Sequence, residues 1–205
     1  MDYPPRSTRH ALPPITLVTG PARSGKSEWA EQLAQQSGRS IIYVATALQI
    51  EDDPEWRRRI QQHQQRRPLS WQTVEAPFDL ASLIQAADPA HCLLIDSLGT
   101  WLANYLEQSE ENWRRIQNRF LVSLRQTASE VILVAEETGW GVVPAYLAGR
   151  TFRDRLGSLV RLVGAIADPV YLVTGGHVLN LRALGTPLGA NLGETVEGKN
   201  EEQST

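Results

Sequence analysis

Gly20-Pro21-Ala22-Arg23-Ser24-Gly25-Lys26-Ser27, read as GPARSGKS, matches G-x-x-x-x-G-K-[ST] at every fixed position. An apolar run over 15–19 precedes it, and a helical pattern over 28–36 follows. That strand–loop–helix setting turns a motif match into a structural expectation. Glycines let the backbone wrap closely around a phosphate with its N–H groups pointing inward. The helix N-terminus adds partial positive charge. In such a loop Lys26 reaches the β- and γ-phosphates of a nucleotide, and Ser27 holds Mg²⁺. The alternative is a glycine-rich turn with an incidental lysine, against which motif and context agree. The loop leaves open what happens to the nucleotide.

Outward from the loop, strand and helix alternate. ITLVT (15–19) is the first predicted strand, and Gly38 is a stop for the helix after the loop. IIYVAT (41–46) is β-branched and apolar with little alternation, which suits an interior parallel strand. A polar helix is predicted over 54–65. Its apolar residues are only Trp56 and Ile60, so it suits a rim or lid. A short strand at 71–74 and a helix over 78–86 follow. HCLLIDS (91–97) is the next strong strand, ending in Asp96. A helix is predicted to begin at 101–106, and a long amphipathic one over 111–128. VILVAEE (131–137) is a further strand, 151–166 a further helix, and 169–174 another strand, ended by Gly175-Gly176.

Short βα repeats with near-continuous apolar strands predict an α/β fold with three layers, resembling that of P-loop NTPases. Its mostly parallel central sheet is covered on both faces. Residues 1–14 read as a flexible arm, 15–188 as a single nucleotide-binding catalytic domain, and 189–205 as a disordered acidic tail. Ligand chemistry in such a sheet belongs at the carboxyl ends of the strands. The segment 20–27, Thr46 with the residues after it, Asp96, and Glu136-Glu137 all fall there.

Composition narrows the class. A length of 205 residues suits one domain. The net charge of -3 supplies no overall basic field for nucleic acid, and the arginines near residue 60 lack the interleaved aromatics of a single-strand track. The one cysteine, Cys92, lies in an apolar run; it excludes an internal disulfide and reads as a core thiol. One cysteine and scattered histidines form no zinc-ligand pattern. No apolar stretch is long enough to span a bilayer, and the first residues lack a signal-peptide core. A cytoplasmic enzyme without membrane insertion is the expectation.

Asp96, at the end of LLID, is read as the carboxylate that holds Mg²⁺ beside Ser27, against the alternative of a turn or capping aspartate. Glu136 and Glu137 either orient a metal water, meet a substrate hydroxyl, or cap the following turn. His63 sits among Arg57, Arg58, Arg59, Arg66 and Arg67. A neutral imidazole can attack phosphorus, and neighbouring guanidinium groups can stabilise phosphate charge. By itself, though, it reads as a solvated histidine on a solvated helix. Arg23 is placed at the loop's rim, facing a phosphate or a partner subunit. Arg150, Arg153 and Asp154 either reach the site or make surface pairs.

The ordered motifs resemble one family. GPARSGKSEWAE, YVAT (43–46), EDDPE (51–55), RIQQHQQRRP (59–68) followed by Trp71, Thr73 and Glu75, DSLGTWLANYL (96–106), EETGWGVVP (136–144) and R-x-FRD-x-x-G (150–157) are similar to the adenosylcobinamide kinase / adenosylcobinamide-phosphate guanylyltransferase family of cobalamin biosynthesis. The resemblance runs from about residue 15 to 181. It implies a bifunctional enzyme that phosphorylates adenosylcobinamide with ATP or GTP, then transfers GMP from GTP to adenosylcobinamide phosphate. It implies that His63 carries GMP as a phosphoramidate, that Lys26 and Asp96 act at the phosphates, and that the loop, Thr46 and Glu75 line the nucleotide site. It also implies a homotrimer, for which Trp101, Trp113, Trp140 and Tyr146 are possible interface anchors that core packing explains equally well. The chain departs from the family pattern in three places. The family commonly has Asn where Glu136 stands, Asn-Gln where Val160-Arg161 stand, and Leu-Thr where this chain has Leu98-Gly99-Thr100. The competing classes are a P-loop kinase for another small hydroxyl compound, a homologue with one of the two activities, and a non-enzymatic nucleotide-binding regulator.

Overall fold

Strands that are apolar on both faces need cover on both faces. In the computed structural model, which describes residues 15–48 and 67–188, seven strands form one sheet, with the apolar ones inside and the more polar Gln72–Glu75 and His177–Asn180 at its edges. They are β1 (Ile15–Gly20), β2 (Ser40–Ala45), β3 (Gln72–Glu75), β4 (His91–Asp96), β5 (Glu130–Glu136), β6 (Val170–Thr174) and β7 (His177–Asn180). Their spatial order is β3-β2-β4-β5-β1-β6-β7. Every neighbouring pair is parallel except β6 and β7. The expected α/β fold with a mostly parallel sheet is therefore present. The arm, the tail and the predicted polar helix with His63 lie outside the described residues.

The helices are α1 (Lys26–Gln36), α2 (Leu80–Ala86), α3 (Leu98–Ala103), α4 (Glu110–Gln126), α5 (Leu147–Ile166) and the short α6 (Leu181–Leu184). Side chains alternate across each strand, so an unbroken apolar run feeds two cores. Leu93 and Ile95 of β4 and Val131 and Leu133 of β5 join Trp101, Trp113 and Phe120 on one face. Cys92, Leu94, Ile132 and Val134 join Ala30 and Ala34 of α1 on the other. Cys92 is fully buried, and burial, aided by the Glu130 carboxylate, pushes its thiol up to about 12. It is a core residue without thiolate character at neutral pH.

Three elements differ from expectation. The helix predicted from 101–106 begins at Leu98 and ends at Ala103, because the Ser97 and Thr100 side chains cap its start reciprocally. The last long helix begins at Leu147 rather than 151, with the N–H of Arg150 bonded to the Tyr146 carbonyl at 3.2 Å. Gly175-Gly176 ends β6 as expected, but an unexpected strand, β7, follows it. Both glycines have positive φ, 57° and 75°, and turn the chain into antiparallel β7, as a tight hairpin requires.

Trp101 and Trp113 are core residues, the second of the two alternatives their sequence left open. Trp101 packs against Tyr105, Trp113 and Phe120, and its indole N–H donates to the Phe78 carbonyl at 2.7 Å. Trp101→Ala is expected to cost about 3–5 kcal/mol, the usual range for removing a large buried aromatic. Urea unfolding measures this; a loss under about 1 kcal/mol would mean that the cluster does not support the fold.

Candidate functional site

The phosphate loop leaves β1 at Gly20, where no side chain fits. A Cβ there would overlap the Val173 carbonyl and Ser24 Oγ. Gly25 enters α1 with φ 92°, in the left-handed region, and no side chain caps the helix. The first N–H groups of α1 therefore keep their donor capacity for an anion. The N–H of Ser24 bonds the Pro21 carbonyl at 3.3 Å, and Lys26 Nζ donates to the same oxygen at 3.3 Å. The ammonium thus lies folded along its own loop. Ser24 Oγ is buried without a partner among the described residues. Arg23 has φ 60° and is exposed, as expected for a rim residue.

Asp96 ends β4 at the same edge of the sheet. One strand, β5, stands between it and the loop strand, so the two backbones are about 10 Å apart at ordinary strand spacing. The Tyr43 hydroxyl donates to Asp96 Oδ2 at 3.1 Å. Burial, and then the Asp96 carboxylate, hold the Tyr43 phenol well above its usual value, so it remains a donor. The Arg67 guanidinium lies over the Tyr43 ring, 3.2 Å from its centroid, a cation–π stack.

The peptide joining Asp96 to Ser97 is cis, and the turn after it is held by side chains of neighbouring strands. Thr46 Oγ1 accepts the Ser97 N–H at 2.9 Å, donates to the Ser97 carbonyl at 2.8 Å, and lies 2.5 Å from Thr100 Oγ1. Thr46 is fully buried. It bears on the site through this turn rather than by presenting a hydroxyl at the surface. Asn104 Nδ2 donates to the carbonyls of Thr46 and Pro77 at 2.8 and 2.7 Å. The Trp-Leu-x-Asn segment is thus a buttress for the sheet edge. Glu136 accepts from Ser97 Oγ at 2.5 Å and from the Gly99 N–H at 3.0 Å. Glu137 accepts from the Gly139 N–H at 2.8 Å, the turn-capping alternative.

Glu75 ends β3, four strands from β1, or about 19 Å across the sheet. It therefore does not join the loop and Asp96 in one cluster. Arg150 donates to the carbonyls of Pro144 and Ala145 at 3.1 and 2.6 Å, and Arg153 pairs with Asp154 at 3.3 Å. These are loop and surface contacts. Sequence reading missed Tyr43, Ser97 and Asn104. For Tyr43 a signal exists: period two along β2 places it on the same sheet face as Ile41.

The donor set suits Mg²⁺, which prefers hard oxygen ligands and keeps waters and substrate phosphates in its shell. The Ser27 hydroxyl and the Asp96 carboxylate are such oxygens, and no cluster of three His, Cys, Asp or Glu exists among the described residues. A cation brought in by a nucleotide fits; an all-protein metal cage does not.

Loop, helix and strand-end carboxylate define an α/β nucleotide-binding protein of the P-loop-like kind. A solved Pyrococcus horikoshii protein shares the fold, at 7% identity and a TM-score of 0.52, over 87% of this chain and 93% of that one. The family described as "Cobinamide kinase / cobinamide phosphate guanyltransferase" matches residues 16–181. A "Bifunctional adenosylcobalamin biosynthesis protein CobP" from Pseudomonas aeruginosa is 37% identical over 174 residues, 84% of this chain and 98% of the relative. A "Bifunctional adenosylcobalamin biosynthesis protein CobU" from Salmonella typhimurium is 37% identical over 177 residues, 79% of this chain and 96% of the relative. The chain belongs to this bifunctional cobinamide kinase / cobinamide phosphate guanyltransferase family and is an enzyme of it. No helix among the described residues is long and apolar enough to cross a membrane.

The phenol–carboxylate contact can be tested directly. Tyr43→Phe is expected to lower stability by about 1.5–3 kcal/mol, as for hydrogen bonds to charged groups, with circular dichroism unchanged. An unaltered urea midpoint would show that the contact contributes nothing net.

Proposed function

We propose that the enzyme phosphorylates the aminopropanol hydroxyl of adenosylcobinamide with ATP or GTP, then transfers GMP from GTP to the resulting phosphate. The observation that carries this reading is the left-handed Gly25 opening α1 beside Lys26, with Asp96 at the same sheet edge. In the kinase step the substrate hydroxyl oxygen bonds to the γ-phosphorus as the β,γ-bridge breaks, and the hydroxyl proton leaves to solvent. The loop N–H groups and Lys26 hold the phosphate chain and offset its charge. Mg²⁺, held by Ser27 and Asp96, would neutralise further phosphate charge.

In the second activity a ring nitrogen of His63 bonds to the α-phosphorus of GTP and pyrophosphate leaves. A phosphate oxygen of adenosylcobinamide phosphate then displaces His63, giving adenosyl-GDP-cobinamide. A covalent intermediate divides one reaction between two large substrates into two simpler steps. The role of His63 rests on the R-I-x-x-H block and family membership, since the residue lies outside those described. Thr46 supports the site through the Ser97 turn; Glu75 is proposed to meet the far end of the nucleotide.

Incubation with α-labelled GTP and Mg²⁺, followed by denaturation, is expected to leave acid-labile, base-stable label on the protein. His63→Ala should abolish the label and keep kinase turnover. Label that persists in His63→Ala, or none in the wild type, would sink the intermediate.

We further propose a homotrimer. Trp140 and Tyr146, 64% and 84% exposed, lie with Val142, Val143 and Leu147 on the loop from β5 into α5, an apolar patch that suits a subunit contact. Sedimentation equilibrium should give three chains per particle, and Trp140→Asp with Tyr146→Asp should shift it to monomer. A monomeric wild type would refute the assembly.

A further inference from the structure

Glu136 ends β5, the strand between the loop strand and the Asp96 strand, and lies in register with Gly20. Both of its oxygens are engaged, Oε1 by the Ser97 hydroxyl and Oε2 by the Gly99 N–H. A Cβ on residue 99 would overlap that carboxylate, and the nearest heavy atoms to such a Cβ all belong to Glu136. Gly99 is not among the described glycines with positive φ. Its backbone therefore does not demand glycine; a side chain there would have to displace the Glu136 carboxylate. Glycine here and glutamate on the adjacent strand form one packed unit. Ser97, gripped by Glu136 from β5, is gripped by Thr46 just past the end of β2 on the other side. Asp96, the last residue of β4, directly precedes the gripped Ser97.

We propose that Glu136 is a positioning residue. Its carboxylate, seated in the space that Gly99 leaves open, holds the Ser97–Gly99 turn and so sets Asp96 relative to the phosphate loop. It is neither the base for the acceptor hydroxyl nor a metal ligand. This rests on the reading of Asp96 as the carboxylate that meets the cation of the nucleotide.

The test is steady-state kinetics of the full-length chain with Mg·ATP and Mg·GTP, for Gly99→Ala, Glu136→Asn and the double variant. Gly99→Ala leaves every polar side chain intact but displaces the carboxylate. It is expected to raise the nucleotide KM about tenfold, the order of losing a hydrogen bond to a charged group. Asparagine is one methylene shorter and keeps an acceptor, so Glu136→Asn makes room for the new Cβ. The double variant is expected to return KM to within about threefold of wild type, the signature of coupled neighbours. If Gly99→Ala does not fold, recovery of folding and KM in the double variant supports the same exchange.

Three results would overturn the proposal. Gly99→Ala could match wild type, the double variant could be at least as impaired as the two single effects combined, or Glu136→Asn could abolish kcat at unchanged KM. The last would make Glu136 a group that acts on the reacting atoms. Asp96→Ala serves as the control: an unchanged nucleotide KM there would refute the reading of Asp96 itself, and the proposal with it, by a separate route.

Discussion

One threonine hydroxyl holds the sheet edge together. Thr46 Oγ1 satisfies both the N–H and the carbonyl of Ser97 in a place with no solvent contact. Each group has a further partner in α3: the N–H meets Thr100 Oγ1 at 3.2 Å, and the carbonyl accepts the Trp101 N–H at 3.1 Å. The turn it secures directly follows Asp96 and starts α3, whose tryptophan anchors one core and whose flanking Asn104 ties down the carbonyl of Thr46 itself. The contacts form a closed loop, from β2 to the turn, through α3, and back to β2. Its members share partners with one another, so the edge is one coupled hydrogen-bond network.

The phosphate loop contrasts with this edge. Its donors are arranged for a ligand: an uncapped helix start, a Ser24 hydroxyl without a partner among the described residues, and an ammonium resting on a loop carbonyl. Such groups await an anion. A turn whose polar groups are paired carries Asp96 and stands, across β5, from a loop whose donors suit an anion. That division suits a site in which a nucleotide and its cation complete the structure.

Most of the architecture was legible in the chain. GPARSGKS between a strand and a helix, and uninterrupted apolar strands, pointed to a parallel sheet, because both signals are local. The misses came where a tertiary contact overrode a local signal. Gly99 discourages a helix start, yet Ser97 caps one there with Glu136 behind it. Strand β7 escaped notice because it is only four residues long and half polar. The departures at Gly99 and at Glu136 read as two unrelated losses of family character. In the fold they touch, and the absence of a side chain at one makes room for the carboxylate at the other.

The sequence by itself determined the loop, the strands and the family, since each is written in contiguous residues whose spacing obeys backbone geometry. Only the tertiary structure decided the neighbours of Asp96: Tyr43 from β2 on one side and, through Ser97, Thr46 and Glu136. Those residues lie about 40 to 50 positions from the turn they hold. Sheet order, rather than chain order, brings them together, because parallel strands align their carboxyl ends whatever the length of chain between them.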